Sequence, residues 1–368
     1  MPRRVGHLYE RMVERENCIA AEKLIAKNKP DNKMAQHIAK NAERYGEELF
    51  IKLRDGTFEF HENRETTITD TYKGKIRHLK IPCIEDQAAQ QAWLIIAIPY
   101  IVRRNYFYNC GSIPNAGQTR ATNGLKKVLK AKKCRYGATS DIRHFYETCP
   151  HEAVLRGLRR IFKDKKFIDF AARIMRNMSP TGVGLAIGHP TSHWFANIAL
   201  MEIDQQLRRL FPDVWFTRYM DDVGMASNNK RHLRKAFLYM KRRVQELGMR
   251  LKDDWQIFRI ARTRLRGRVP ETKTKSARGR GIPFLSYTFY PGFTVLRKRL
   301  MYRISRKMKR GQTNLSVHMA EGIVSYIGIL KHCDSYNFRQ DRVLPYVNPK
   351  KCRRIISNAS KDLLLRAT

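Results

Sequence analysis

The 368-residue chain carries 73 Lys and Arg against 33 Asp and Glu, a formal charge of +40. Its hydrophobic content of 42% and aromatic content of 10% can build a sizeable core, which excludes a disordered basic tail and leaves a folded body whose electropositive surface suits nucleic acid or an anionic membrane. Seven scattered cysteines without a Cys-x-x-Cys pair exclude a zinc ribbon and argue against a disulfide framework, so a reducing cytoplasm is expected.

The Met1-Pro2-Arg3-Arg4 start leads into a charged helical pattern with no signal-type apolar region. Residues 7–53 read as two helices, with Leu8, Met12, Ile19 and Leu24 at near-helical spacing and Pro30-Asp31-Asn32 as the break. Short alternating runs follow, and Thr66–Thr69 and Ile76–Ile81 are strand candidates. A helix is expected over 85–105. Its apolar stretch, Trp93 to Val102, is interrupted by Pro99 and falls short of the ~20 residues needed to span a bilayer, so no membrane partner is expected. Gly111–Gly117 reads as a turn and 119–133 as a basic helix.

A strand reaches Asp141, and two helices occupy 150–178. Ser179-Pro180-Thr181-Gly182 breaks the chain before a helix over 192–210, on which Asp204 is expected at the surface. Residues 214–226 have hairpin character, followed by a helix over 230–247 and a strand over 249–260. Helices and strands mix without regular β-α-β alternation, which favours an α+β fold over a doubly wound sheet. Between Arg259 and Arg310 stand 17 basic residues and one acid, Glu271. Nine of the 17 lie in a Gly/Thr/Arg-rich segment up to Arg280. The rest, among them Arg297, Lys298, Arg303, Arg306, Lys307 and Arg310, back a helix whose other face is Leu296, Leu300, Met301, Ile304 and Met308. A surface helix ordinarily mixes both signs, so this cationic face is expected to track phosphates.

In so basic a chain, acids set among apolar residues need a reason. Asp141 ends the run Tyr136–Ser140, and Asp221 and Asp222 stand between Val214-Trp215-Phe216 and Val223-Gly224-Met225-Ala226. A buried carboxylate is costly unless it is paired or binds a metal. Two such sites brought together would repel, and a hard divalent cation, Mg²⁺ or Mn²⁺, relieves that repulsion. Two ions held ~3.5–4 Å apart would serve phosphoryl transfer. Side chains alternate along a strand, so Asp221 is expected as the direct ligand and Asp222 as a second or outer one. His189 and His193, four apart, lack a third ligand or an intervening Glu and are not expected to hold zinc.

Tyr219-Met220-Asp221-Asp222, with Asp141-Ile142-Arg143-His144-Phe145-Tyr146 upstream, resembles the paired catalytic motifs of the reverse transcriptases. Between them, Gly184 to Asn197 is similar to that family's template-and-nucleotide loop and following helix. Lys75-Ile76-Arg77 ahead of Ile81-Pro82, Gly111 to Gly117, and Phe284-Leu285-Ser286-Tyr287 complete six ordered blocks over about 70–300. The resemblance implies an RNA-directed DNA polymerase of right-hand form, with fingers, a palm with an antiparallel sheet, and a helical thumb. Fingers and palm would occupy 1–290 and a basic thumb 291–368.

On the resemblance, Asp141, Asp221 and Asp222 hold two metal ions. Tyr146 lies under the incoming sugar and excludes a 2′-hydroxyl, and Lys75 and Arg77 meet the triphosphate. Gly188 lets backbone approach the nascent pair, and Ser192 caps the next helix. The family's usual Lys after Gly248-Met249 is replaced by Trp255, with Lys252 three residues earlier. Compact size, Ile187-Gly188 with Ser192, Trp255-Gln256 and Phe284–Tyr287 most resemble bacterial and phage enzymes of diversity-generating retroelements, although His193 stands where those carry Gln. This implies a structured template RNA, an RNA/cDNA hybrid, dNTPs and a small basic accessory protein as partners, in a bacterial or phage-infected cytoplasm. Antiphage-defence and retron enzymes, or an RNA-copying or template-independent polymerase on the same fold, are the alternatives. A non-catalytic RNA-binding scaffold is disfavoured by the intact Asp141, Tyr219, Asp221 and Asp222.

Overall fold

A computed structural model describes residues 3–29, 32–69, 76–131, 134–261 and 279–365. In chain order it contains α1 (Leu8–Met12), α2 (Arg15–Asn28), α3 (Lys33–Lys40), α4 (Ala42–Arg54), β1 (Arg64–Thr69), β2 (Ile76–Ile81), α5 (Ile84–Arg104) and α6 (Gly117–Ala131). Then come β3 (Tyr136–Ser140), β4 (Ile142–Arg143), α7 (Phe145–Thr148), α8 (His151–Ile161), α9 (Lys165–Met178), α10 (Ser192–Leu210), β5 (Trp215–Tyr219), β6 (Asp222–Ser227) and α11 (Lys230–Glu246). The remainder is β7 (Arg250–Leu251), β8 (Gln256–Arg259), β9 (Ile282–Phe284), β10 (Tyr287–Tyr290), β11 (Phe293–Leu296), α12 (Lys298–Thr313), α13 (Val317–Leu330), α14 (Tyr336–Arg342) and α15 (Pro349–Leu365). No described helix is long and apolar enough to cross a membrane.

Contacts divide the chain into two compact units. The first comprises 1–121, 140–223 and 234–255. Its core is helical: α2 packs on α4 and α5, and α8 on α10. Trp93 of α5 stacks on Phe167 of α9 with ring centroids 5.1 Å apart and meets Phe195 of α10 edge-on. The expected pair of N-terminal helices is a set of four. Asn32 caps α3 by accepting the Ala35 N–H at 2.9 Å, and Asn41 interrupts the helix between α3 and α4. Asn side chains compete for backbone hydrogen bonds and so punctuate helices.

Strands β1 and β2 form an antiparallel ribbon in which Arg64 faces Ile81 and Ile68 faces Arg77. The strand expected over 249–260 is two strands. Its first part, β7, pairs with β4, Ile142 opposite Leu251. Its second, β8, belongs to the other unit, and the Asp253-Asp254 turn separates them.

The second unit comprises 122–139, 224–233 and 256–368. In it β6, β3 and β8 lie side by side, with Tyr136 opposite Arg259 and Thr139 opposite Gln256. A second antiparallel sheet has the order β11-β10-β9. It is tied to the helices after it: the Tyr287 hydroxyl donates to the Ile329 carbonyl at 3.0 Å, and Asp334 accepts the Thr294 N–H at 2.7 Å. From Lys298 onward every described element is a helix, and α13 packs on α12 and α15.

Candidate active site

One backbone hydrogen bond joins the two aspartate-bearing segments of the first unit: the Ile142 N–H donates to the Asp221 carbonyl at 3.2 Å. Asp141 sits between β3 and β4, where the chain leaves one strand pairing for another. Lys252 occupies the matching break between β7 and β8. Its N–H donates to the Asp141 carbonyl at 3.0 Å, and its ammonium is ion-paired to Asp141 Oδ2. The other carboxylate oxygen, Oδ1, is buried with no hydrogen-bond partner. Asp222, the first residue of β6, is half-buried and does not line the cavity beside Asp221.

That cavity, about 400 Å³, is lined by Arg77, Tyr146, Gly188, Ser192, Asp221 and Lys252 among others, all of the first unit. Tyr146 reaches it from α7. Burial, and next the Asp221 charge, push its phenol up to about 12, so the ring is neutral and the hydroxyl remains a donor. Arg77 is exposed on β2. Lys75 lies outside the described residues, as do 262–278 with most of the first group of basic residues.

Gly188 has φ +123°, and a Cβ there would lie 2.4 Å from the Lys80 carbonyl oxygen. The Lys80 N–H in turn donates to Ile187 at 3.0 Å. The close approach that glycine permits within the chain is to strand β2; it brings Arg77 and the 184–190 loop to one cavity. Ser192 differs from expectation. Thr191 stands at the N-cap, and Ser192, buried in the first turn of α10, donates to the Ala186 carbonyl and so pins the loop rather than the helix end. His189 and His193 are both pushed down to about 4 by burial and are neutral. No described third metal-ligating residue joins them.

The turn that presents Asp221 is strained, because Met220 has φ +56°, a region unfavourable to a side chain with a Cβ. A buried network holds it. Arg218 Nη1 donates to the Met220 carbonyl at 3.0 Å and to Asn197 Oδ1 at 3.1 Å, and Asn197 donates to the Gly111 carbonyl at 2.8 Å. Gly111 lacks a Cβ that would stand 2.6 Å from the Met220 nitrogen. Asp204 closes the network as a bidentate partner of Arg218 at 2.6 and 3.1 Å. Asp204 is 3% exposed and Arg218 2%, so Asp204 is a core residue and not the surface position expected from α10. Sequence reasoning missed both. The signal was present: Arg218 stands in the apolar run Trp215–Tyr219, where a charge needs a buried partner as much as Asp221 does.

The cationic residues of the second unit are arranged on α12. Lys298, Arg306 and Arg310 are exposed, Arg303 and Lys307 are half-buried, and Ile304 and Met308 face the core. Arg297, at the N-cap, donates to the Leu285 carbonyl at 3.2 Å.

Comparison with known proteins gives three findings. The family model described as reverse transcriptase (RNA-dependent DNA polymerase) matches residues 68–281, more than half of the chain. A putative COX1/OXI3 intron 2 protein of Saccharomyces cerevisiae is 24% identical over 189 residues, covering 49% of this chain and 22% of that protein. Among solved structures, telomerase of Candida albicans with a TWJ fragment of telomeric RNA aligns at TM-score 0.44 and 10% identity, over 81% of this chain and 57% of that one. Apo telomerase of Candida tropicalis aligns at 0.47 and 11%, over 77% and 61%. The chain thus spans about a fifth of the yeast protein and under two thirds of the telomerase chains.

Proposed function

The chain belongs to the reverse transcriptase family of RNA-dependent DNA polymerases, and from that membership we propose that it copies RNA into DNA at the cavity lined by Asp221 and Lys252, with Asp141 on the adjoining segment rather than in the cavity lining. The observation that carries this reading is the Ile142–Asp221 hydrogen bond, which sets two acidic segments beside one polar cavity in a chain of charge +40.

Reverse transcriptases generally use divalent metal ions. The residues fit such an ion: the donors are hard carboxylate oxygens, and Asp141 Oδ1 is buried with no hydrogen-bond partner. Asp141 and Asp221 would hold Mg²⁺ or Mn²⁺, with Asp222 as an outer contributor. Bound there, two ions would activate the attacking hydroxyl and neutralise charge on the leaving pyrophosphate. The protein's own groups do the rest. Arg77 binds the triphosphate through charge-assisted hydrogen bonds. Tyr146, neutral and half-buried, packs against the sugar and leaves no room for a 2′-hydroxyl. Lys252, held against Asp141, lines the cavity and can give a proton to the leaving group. The α12 cations, with Arg297, contact the backbone of an RNA/cDNA hybrid as parts of a basic thumb over 291–368, after fingers and palm over 1–290.

The finer reading is a polymerase of a diversity-generating retroelement, working on a structured RNA with a small basic accessory protein. It is supported by Ile187-Gly188, Ser192 and Trp255-Gln256, while His193 in place of Gln keeps a defence or retron role as the second reading. The test of the site is Asp221→Asn. Mg²⁺-dependent deoxynucleotide incorporation on primed RNA should fall below detection while RNA affinity changes less than about twofold, because phosphate contacts carry affinity. Retained incorporation would remove Asp221 from the chemistry.

A further inference from the structure

A second cluster with metal-binding chemistry lies in the first unit, at the open end of the β1–β2 ribbon, where the chain enters β1 and leaves β2. His61 stands three residues before β1, and Cys83 and Asp86 lie at the start of α5, just after β2. One ligand atom from each lies within 4.8 Å of the other two. His61 Nδ1 is 3.3 Å from Cys83 Sγ and 2.8 Å from Asp86 Oδ1. In a tetrahedral zinc site with Zn–N, Zn–O and Zn–S bonds of ordinary length, neighbouring ligand atoms are about 3.3–3.6 Å apart, so the His61–Cys83 spacing already fits, the His61–Asp86 spacing must open by about 0.5 Å, and the Cys83 and Asp86 atoms lie within 4.8 Å.

The surroundings are those of a metal centre as well. A ligating imidazole is normally oriented by a carboxylate on its other nitrogen. Here Glu85 Oε2 lies 3.8 Å from His61 Nε2, and Glu85 is itself held by Lys52 at 2.6 Å. The Asp86 N–H donates to Cys83 Sγ at 3.5 Å, in the first turn of a 21-residue helix. Asp86 is fully buried. A simple His–Asp ion pair accounts for the imidazole and the carboxylate, and the sulfur caps α5, but neither role accounts for the 3.3 Å approach of the sulfur to His61 Nδ1.

We propose that His61 Nδ1, Cys83 Sγ and Asp86 form a zinc site that clamps the two ends of the β1–β2 ribbon and so fixes the strand carrying Arg77. Water completes the tetrahedron. Binding releases the thiol proton, while the proton that His61 Nδ1 otherwise donates to Asp86 passes to Nε2 on the Glu85 side, and no bond is oxidised or reduced. The site is separate from the Asp141–Asp221 cavity, and its soft sulfur ligand distinguishes it from a site for Mg²⁺.

The probe is Zn²⁺ itself, added to the full chain in excess Mg²⁺. One equivalent should remain after gel filtration, and Cys83→Ser and His61→Gln should each lose it. Glu85→Gln should weaken binding about tenfold as an orienting residue. The wild-type chain supplies an independent measurement: Cys83 is the one exposed cysteine of the seven, five being buried and Cys333 intermediate, and Zn²⁺ should slow its alkylation by iodoacetamide, mapped by mass spectrometry, about tenfold or more by occupying the thiolate. Equal alkylation rates with and without Zn²⁺, or equal zinc content in wild type and Cys83→Ser, would overturn the proposal.

Discussion

Removing the Asp204 carboxylate would leave the Arg218 guanidinium buried, with only Asn197 and the Met220 carbonyl to accept from it. Breaking a buried pair from one side costs about 3–5 kcal/mol, so Asp204→Ala should lower unfolding free energy by that amount in urea melts and loosen the turn that presents Asp221. Asp221→Asn, on a half-buried turn, should leave the melt nearly unchanged. A cost below about 1 kcal/mol for Asp204→Ala would mean that the pair contributes little beyond packing.

Glu22 poses the opposite case. It is 3% exposed on α2, its Oε2 has no hydrogen-bond partner, and burial, with Glu85 and Glu48 adding repulsion, pushes its carboxyl up to about 7 from an ordinary 4.5. A raised folded value means that the native state holds its proton more tightly than the unfolded chain. That advantage is complete below about pH 4.5 and disappears as pH rises through about 7. Glu22→Gln should therefore stabilise the protein by about 3 kcal/mol at pH 8 and by almost nothing at pH 4.5, read as the pH dependence of the difference between two melts. An equal effect at both pH values would assign the change to packing.

At the scale of elements, the long periodic segments were legible and the short non-local ones were not. The expected helix over 192–210 and the observed α10 agree, as do the 85–105 segment and α5, because many residues repeat one pattern and local propensity and packing point the same way. The 249–260 segment reads as one strand. Its division into β7 and β8 depends on two different partners, which no local pattern encodes. The same division is what brings Lys252 against Asp141. Asp141 and Asp221 could be picked out because a carboxylate among apolar residues needs a cause. Arg218 and Asp204 obey that rule too, but a helix residue 14 positions before its partner in the chain reads as surface until that partner is known. Gly188 and Ser192, expected at the nucleotide, both line the cavity, while their contacts, to Lys80 and Ala186, come from chain crossings visible only in three dimensions.

At the scale of the whole molecule, +40 net charges on 368 residues act in two directions that salt separates. Like charges on one folded body repel, and the repulsion is relieved on unfolding, so added salt should stabilise the protein by shortening the Debye length from about 14 Å at 50 mM to about 6 Å at 300 mM. RNA binding should respond oppositely, since each phosphate contact releases a counterion and contributes about −0.7 to the slope of log affinity against log salt on a single strand. One titration over that range should therefore raise the thermal midpoint while RNA affinity falls. Neutralising Arg303, Arg306 and Lys307 on α12 should reduce the slope by up to about 2 and shrink the salt-induced rise in midpoint, since the same side chains carry both effects. A midpoint that falls with salt would show that the basic surface is already neutralised by internal ion pairs. An unaltered slope in the triple variant would place the RNA on other cations of the chain, with α12 outside its path.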